Sequence, residues 1–294
     1  MNRYQEQAKK AIDRLQSQQE KELIRNYQTA LSEIRSKLSA AYEKADWNWA
    51  EMNKYNRLAK LEEQIGEEIR KLTGKNAMSL KKGQRHMFEE AYYRTAYALS
   101  SEVGADLGFA LLDTDEIQRS IENPLDRVGF LQRNRDNQYQ LTRQLREQLT
   151  QGLVQGESYR TTARRIKERM DIGAGNALRI ARTENNRIRN KSSQDSMEKA
   201  QESGLILKKT WLSSHGARTR PEHEEMDGVT VDIDQPFDVD GYEMMYPGDE
   251  SAPGYLVINC RCTTIAEPEG FKANASAVTG KKHGFYDDFK KNLK

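Results

Sequence analysis

Apolar positions recur every three to four residues over roughly the first two-thirds of the chain, then change to short β-like runs. Ile24, Tyr27, Leu31, Ile34, Leu38, Ala41 and Ala45 follow a 3-4-3-4-3-4 spacing. That spacing holds one stripe on one side of a helix, as in a coiled-coil seam, and makes 24–45 a candidate coiled-coil segment. A second helix is expected through Tyr55, Leu58, Leu61, Ile65, Ile69 and Leu72, with Gly74 as a left-handed C-cap. The two stripes could pack on each other as a hairpin or pair with another chain. Shorter helices follow. One runs from His86 to Ser101 and carries Tyr92, Tyr93 and Tyr97; another starts at Pro124. A third, Gln138 to Gln151, has Leu141, Leu145 and Leu149 at i, i+4 and i+8. A short basic helix spans Ser158 to Met170, and a longer one runs from about Ala174 to Glu202, ended by Gly204.

Beyond Gly204, Leu205–Trp211, Val229–Ile233 and Tyr255–Cys260 read as strands. Five of the six prolines lie after residue 220, and Asp227-Gly228, Asp240-Gly241 and Pro247-Gly248-Asp249 mark turns. The expected fold class is α+β: a long, mostly α-helical N-terminal region followed by a small α+β C-terminal domain. The expected division is a helical arm or bundle over 1–150, a domain over 151–270 and a basic tail over 271–294. The tail is expected to be mobile or bound to a partner.

Composition sharpens this picture. Hydrophobic residues make up 36% of the 294 and charged residues 31%, with a mean hydropathy of -0.93. Such a chain suits bundled helices with narrow apolar stripes better than one thick core. Net charge is only +2, but acids outnumber bases between Leu205 and Gly270, leaving the remainder basic. No run approaches the ~18–20 apolar residues of a membrane span. The N-terminus lacks the apolar core of a signal peptide. The only two cysteines, Cys260 and Cys262, are one residue apart and form no disulfide framework. The expectation is assembly in a reducing host cytoplasm, with no membrane partner.

Four blocks occur in order: Ala181-Arg182-Thr183-Glu184-Asn185-Asn186-Arg187; Trp211-Leu212-Ser213-Ser214; Arg218-Thr219-Arg220-Pro221-Glu222-His223, continuing to Met226-Asp227-Gly228; and Asn259-Cys260-Arg261-Cys262. This arrangement, over roughly Leu153 to Glu267, resembles the phage head-morphogenesis family, the Mu F-like minor head proteins. The resemblance implies a minor capsid protein in the head interior of a tailed-phage virion, acting in virion assembly near the portal. Portal protein and other head or scaffold proteins would be its partners, with packaged double-stranded DNA close by. The family often has an acid two positions before the first Arg of the third block. Here that position is Gly216, preceded by His215, so no role of that acid carries over.

Arg182, Thr183, Glu184, Trp211, Arg218, Arg220, His223, Asp227, Gly228, Asn259, Cys260, Arg261 and Cys262 are the motif residues, with no catalytic assignment. An i, i+3 pair between Glu184 and Arg187 is expected. Arg218 and Arg220 could reach Asp227 or Glu184, giving a salt-bridge lattice between helix and sheet. If 255–262 is extended, Leu256, Ile258, Cys260 and Cys262 share a core-facing row with the cysteine Cα atoms ~6.6 Å apart. His223, just after Pro221, is expected to converge on both cysteines. With His215 they supply four candidate ligands for a structural zinc, although no standard zinc spacing is present. The other reading is two small buried cysteines beside a hydrogen-bonded core histidine.

Arg160, Arg164, Arg165, Lys167 and Arg169 form a basic segment that could contact DNA through salt-sensitive phosphate pairing. The pairs Trp47/Trp49 and Tyr92/Tyr93 could stack on bases but are better read as core anchors. No phosphate-binding glycine loop, H-E-x-x-H or G-x-S-x-G occurs. A metal-dependent hydrolase using His223 with Glu222 and Glu224, and a DNA-binding factor outside any virion, remain as alternatives.

Overall fold

A computed structural model describes residues 1–44, 52, 56–122, 129–271 and 284–293. Ala45, Trp47, Trp49, Tyr55 and Pro124, named above, lie outside them. The fold is α+β. In chain order the elements are α1 (Arg3–Lys44), α2 (Arg57–Val103), α3 (Thr114–Glu122), α4 (Phe130–Val154), α5 (Tyr159–Glu202), β1 (Leu205–Leu212), α6 (Pro221–Glu225), β2 (Thr230–Asp232), β3 (Phe237–Val239), β4 (Tyr242–Met244), α7 (Gly254–Val257), β5 (Thr263–Phe271) and α8 (Tyr286–Lys291). The chain forms two compact units, each discontinuous in sequence. One gathers 1–17, 82–129 and 182–294; the other gathers 18–81 and 130–181. Among the described residues no helix is long and apolar enough to cross a membrane.

The second unit is all helix. Tyr27, Ile34 and Leu38 of α1 share one apolar cluster with Leu61, Ile65 and Ile69 of α2, Leu141, Leu145 and Leu149 of α4, and Ile166 and Met170 of α5. The heptad stripe is therefore buried within its own chain. Its first turn is shifted by one position: Leu23 is buried, with Leu80, Phe130 and Ala181, while Ile24 is exposed. The C-cap expected at Gly74 and the break expected between Met170 and Ala174 are absent, while the end expected at Gly204 is present. α2 continues through Gly74, because the apolar positions on both sides of it are covered and outweigh a glycine penalty of ~1 kcal/mol. The helix ends instead at Gly104, whose φ is +65°. α5 likewise runs unbroken through Gly173 and Gly175. A Cβ on Gly173 would lie 3.0 Å from Leu141 Cδ2 and 3.3 Å from Tyr27 Cε1. Gly173 thus allows α5 to approach the neighbouring helices, and its carbonyl accepts from Asn137 Nδ2 at 3.1 Å.

The first unit holds the sheets. β1 is central to an antiparallel sheet of order β2-β1-β5, pairing Lys209 with Val231 and with Ala266. β3 and β4 form a hairpin in which Val239 pairs with Tyr242. Its loop, Asp240-Gly241, has φ of +54° and +78°, the pattern a two-residue primed turn requires. Tyr92, Tyr93 and Tyr97 are core anchors, packed with Leu205, Leu207, Met197 and Phe289.

Two expectations are corrected. The expected strand 255–260 is not one. Extended Pro253 opens the helical turn α7, and Asn259 at φ +59° breaks the alternation after it. Ile258 is accordingly exposed, whereas Leu256, Cys260 and Cys262 are buried. β5, absent from the expectation, begins just afterwards. The far end of the tail is docked, not loose. Phe289 is buried, Lys290 Nζ sits 2.7 Å from Glu90 Oε1, and Tyr97 donates to Gly284 O at 2.8 Å. Tyr286 and Phe289 present an apolar i, i+3 edge to α2, which a count of lysines does not reveal.

Candidate metal centre

Between Thr183 and Ser196, α5 is buried on nearly every face, and eleven of those fourteen residues are both polar and buried. Unpaired buried polar atoms are costly, and here the side chains hold loop backbone. Asn190 Nδ2 donates to Pro247 O at 2.7 Å and to Cys262 O at 3.0 Å. Gln194 Nε2 donates to Ile233 O at 2.9 Å, and Ser192 Oγ to Phe88 O at 2.5 Å. Thr183 Oγ1 accepts from Asn259 N at 2.9 Å. Arg187 pairs with Glu184, 3.3 Å, and Glu250, 3.1 Å, and caps Ser120 O and Ile121 O. The expected Glu184–Arg187 pair is thus present, in a larger buried network. The turn at Gly248, φ +89°, lies so close that a Cβ there would meet Arg187 Cα at 3.5 Å.

β1 presents Leu205, Leu207, Lys209 and Trp211 inward by period-two alternation. Trp211 is fully buried, edge-on to His223 with ring centroids 5.5 Å apart and to Phe237 at 5.3 Å. The Asp227-Gly228 turn closes onto the end of β1: Gly228 N donates to Trp211 O at 2.9 Å, and Ser213 N donates to Asp227 Oδ1 at 2.7 Å. Pro221 opens α6, placing His223 on the buried side. Arg220 Nη2 donates to Ile258 O at 2.5 Å, tying α6 to the 258–262 loop. The arginines do not reach the acids suggested for them: Arg220 caps this carbonyl, and Asp227 faces His215 Nε2 at 3.6 Å.

His223, Cys260 and Cys262 converge. His223 Nδ1 lies 3.6 Å from Cys260 Sγ and 3.4 Å from Cys262 Sγ, and all three residues are buried. They are the group of potential metal ligands found among the described residues. His215 stands outside it, exposed on the surface. Cys262 N donates to Cys260 Sγ at 3.4 Å. The thiols titrate as a pair. Cys262 is drawn down to about 5, first by its hydrogen bond with Cys260, then by His223 and by the backbone N–H of Ser214, against the opposing effect of burial. Cys260 is pushed up by that shared bond and by burial. The three residues line a cleft of about 260 Å³ together with Arg218, Arg220 and Arg261.

The family described as Phage Mu protein F like protein matches residues 143–265, the stretch that carries all four blocks. The Minor head protein GP7 of Bacillus phage SPP1 is 29% identical over 275 residues, covering 90% of this chain and 87% of that one. The two matches support a phage minor head protein family for this chain. A second relative, the NAD(+)--arginine ADP-ribosyltransferase EFV of Enterococcus faecalis (strain ATCC 700802 / V583), is 29% identical over 250 residues. The match covers 85% of this chain but only 51% of that protein. No solved structure matches the chain.

Sequence reasoning missed Asn190 and Lys209. Asn190 continues a polar stripe, Thr183, Arg187, Asn190 and Gln194, at 4-3-4 spacing, a signal as regular as an apolar stripe. Lys209 was legible from strand alternation. Its ammonium donates to Met245 O at 2.8 Å and lies 5.4 Å from the Phe237 ring centroid. Burial draws it down from 10.5 to about 8. Below about pH 8 folded and unfolded chains both hold this proton, and the desolvation cost is present in full. Between about 8 and 10.5 the unfolded chain holds the proton that the fold has released, so stability rises with pH. The stability of wild type relative to Lys209→Met should therefore increase between pH 7.5 and 10, by roughly 1–2 kcal/mol after allowance for screening. Urea denaturation of both proteins at the two pH values measures this. A difference independent of pH would refute it.

Proposed function

We propose that this chain is a minor head protein acting inside the capsid during head morphogenesis, near the portal and against packaged DNA. The observation that carries the reading is the match to a minor head protein along nearly the full length of both chains. Its setting is the virion head, reached from the host cytoplasm during assembly, with portal and scaffold proteins as partners. The buried polar network of α5 suits a structural role, since its polar groups are consumed in holding loops.

DNA contact would fall to Arg160, Arg164 and Arg169. Arg165 serves the helical unit, with Nη1 2.6 Å from Glu157 Oε1 and Nε bonded to Gln148 at 2.8 Å. Lys167 pairs with Asp171 at 2.5 Å.

Mass spectrometry of purified procapsids and virions should find the chain at few copies per particle, lost when the portal protein is deleted. The full chain should bind duplex DNA with affinity falling ~10-fold or more between 50 and 200 mM salt. Absence from both particles would reject the head assignment. Salt-independent or absent DNA binding would reject the DNA contact alone.

A further inference from the structure

We propose that His223, Cys260 and Cys262 bind one zinc ion, whose fourth position opens to the arginine-lined cleft and takes water or an anionic oxygen. Three observations converge on the ion. The first is spacing. A tetrahedral zinc ~2.3 Å from sulfur and ~2.0–2.1 Å from nitrogen sets sulfur and nitrogen ~3.5 Å apart. The two separations here are 3.6 and 3.4 Å.

The second is the arithmetic of donors. A neutral imidazole nitrogen that accepts has one in-plane lone pair. Two thiols crowd the same Nδ1, which can accept from only one of them, whereas a cation between the three atoms is bound by all. The third is the surroundings of the sulfurs. Cys260 Sγ receives the Cys262 backbone N–H at 3.4 Å. Such a donor supports the thiolate, the form that binds metal. The scaffold is fixed before any ion arrives: Trp211 holds the imidazole edge-on, Thr183 holds Asn259 N, and Asn190 holds Cys262 O.

Three protein ligands leave one position, and the ligand residues themselves line the cleft. A divalent ion with two thiolates is formally neutral, so Arg218, Arg220 and Arg261 leave the cleft cationic. Arg218 and Arg261 are exposed and free to meet an anion there. This inference stands apart from the proposed function: it concerns what the fold binds, whether or not the chain enters a head.

The test uses the full chain, purified without an affinity tag or chelator. Elemental analysis should give one zinc per chain. Replacement by cobalt should give tetrahedral d–d bands and thiolate-to-cobalt charge transfer. His223→Ala and Cys262→Ser should lower zinc at least 10-fold, while His215→Ala should leave it at one per chain. Because the first two variants are core substitutions, wild-type protein supplies a second readout. Its thiols should resist a thiol reagent until a strong chelator is added. Folded wild-type protein that takes up neither zinc nor cobalt would overturn the proposal. Inorganic phosphate should shift the cobalt bands of wild type, and of the Arg218→Ala/Arg261→Ala variant at least 10-fold less tightly. Bands that phosphate, cyanide and imidazole all leave unmoved would show a closed site and overturn the open position.

Discussion

Replacing Arg187 with Ala should destabilise the protein by about 3–5 kcal/mol, the usual consequence of removing one partner from a buried ion pair. The guanidinium is almost fully enclosed and serves two carboxylates and two backbone carbonyls. Its loss removes a counter-charge from buried Glu184 and from half-buried Glu250, and the carbonyls of Ser120 and Ile121 lose this donor. The expected loss is a large fraction of the ~5–15 kcal/mol that holds a typical domain folded. Part of the penalty resides in the charge left on the two acids, so adding Glu184→Gln and Glu250→Gln to the variant should restore part of it. Urea denaturation gives the energies, and the rate at which a thiol reagent reaches Cys260 and Cys262 reports opening in the same unit. A loss under about 1 kcal/mol, or no recovery in the triple variant, would show that the network is not what holds α5 in place.

That network explains how much of the site could be read from sequence. The order of blocks was legible, and so was the meeting of His223 with the two cysteines. The route to that meeting was not. The inference passed through an extended 255–262 segment, yet the cysteines are buried because Asn259 turns left-handed and two α5 side chains hold the loop backbone. The alternation of Leu256, Cys260 and Cys262 happens to mark the right side chains, while Ile258, in the same row, faces solvent. Hydropathy misleads most over Thr183–Ser196. A helix this polar reads as a solvated surface. Here irregular loops supply carbonyls and amides that need partners, and a polar helix meets that need where an apolar one cannot. The signal was present as a polar stripe with helical spacing, which a search for apolar periodicity passes over.

Element types were legible wherever an apolar repeat was long, while the boundary expected at Gly74 and the break expected between Met170 and Ala174 were lost and the boundary at Gly204 held. Gly74, Gly173 and Gly175 lie inside helices because packing on either side decides the conformation. Gly104 and Gly204 terminate helices, with positive φ. Local sequence does not separate these cases, since the difference lies in what covers the neighbouring turns. The tail shows the same effect. Its lysines suggested a segment mobile or bound to a partner, but Tyr286 and Phe289 give α8 an apolar edge that docks within the chain.

The register of the heptad stripe leads to the second large effect. Leu38→Asp should destabilise the protein by more than about 4 kcal/mol. Leu38 is fully buried in the apolar cluster of α1, α2, α4 and α5, and its burial alone is worth ~1.5–3 kcal/mol. A carboxylate there must also be desolvated without a partner, or carry a proton at neutral pH, and either adds to the loss. Ile24→Asp, a change of the same chemistry in the same apparent stripe, should cost within about 0.5 kcal/mol, because surface substitutions away from special contacts rarely cost more. Ile24 is 38% exposed, and Leu23 beside it takes the buried position. The pair separates two accounts of the stripe. If 24–45 were a seam awaiting a second chain, Ile24→Asp would disrupt assembly, and Leu38→Asp would disturb the isolated chain little. If the seam is covered from within, Leu38→Asp should lower the helical circular dichroism signal and the denaturation midpoint of the monomer, with Ile24→Asp indistinguishable from wild type. Equal effects at the two positions would mean that the one-residue offset between sequence stripe and buried face is wrong.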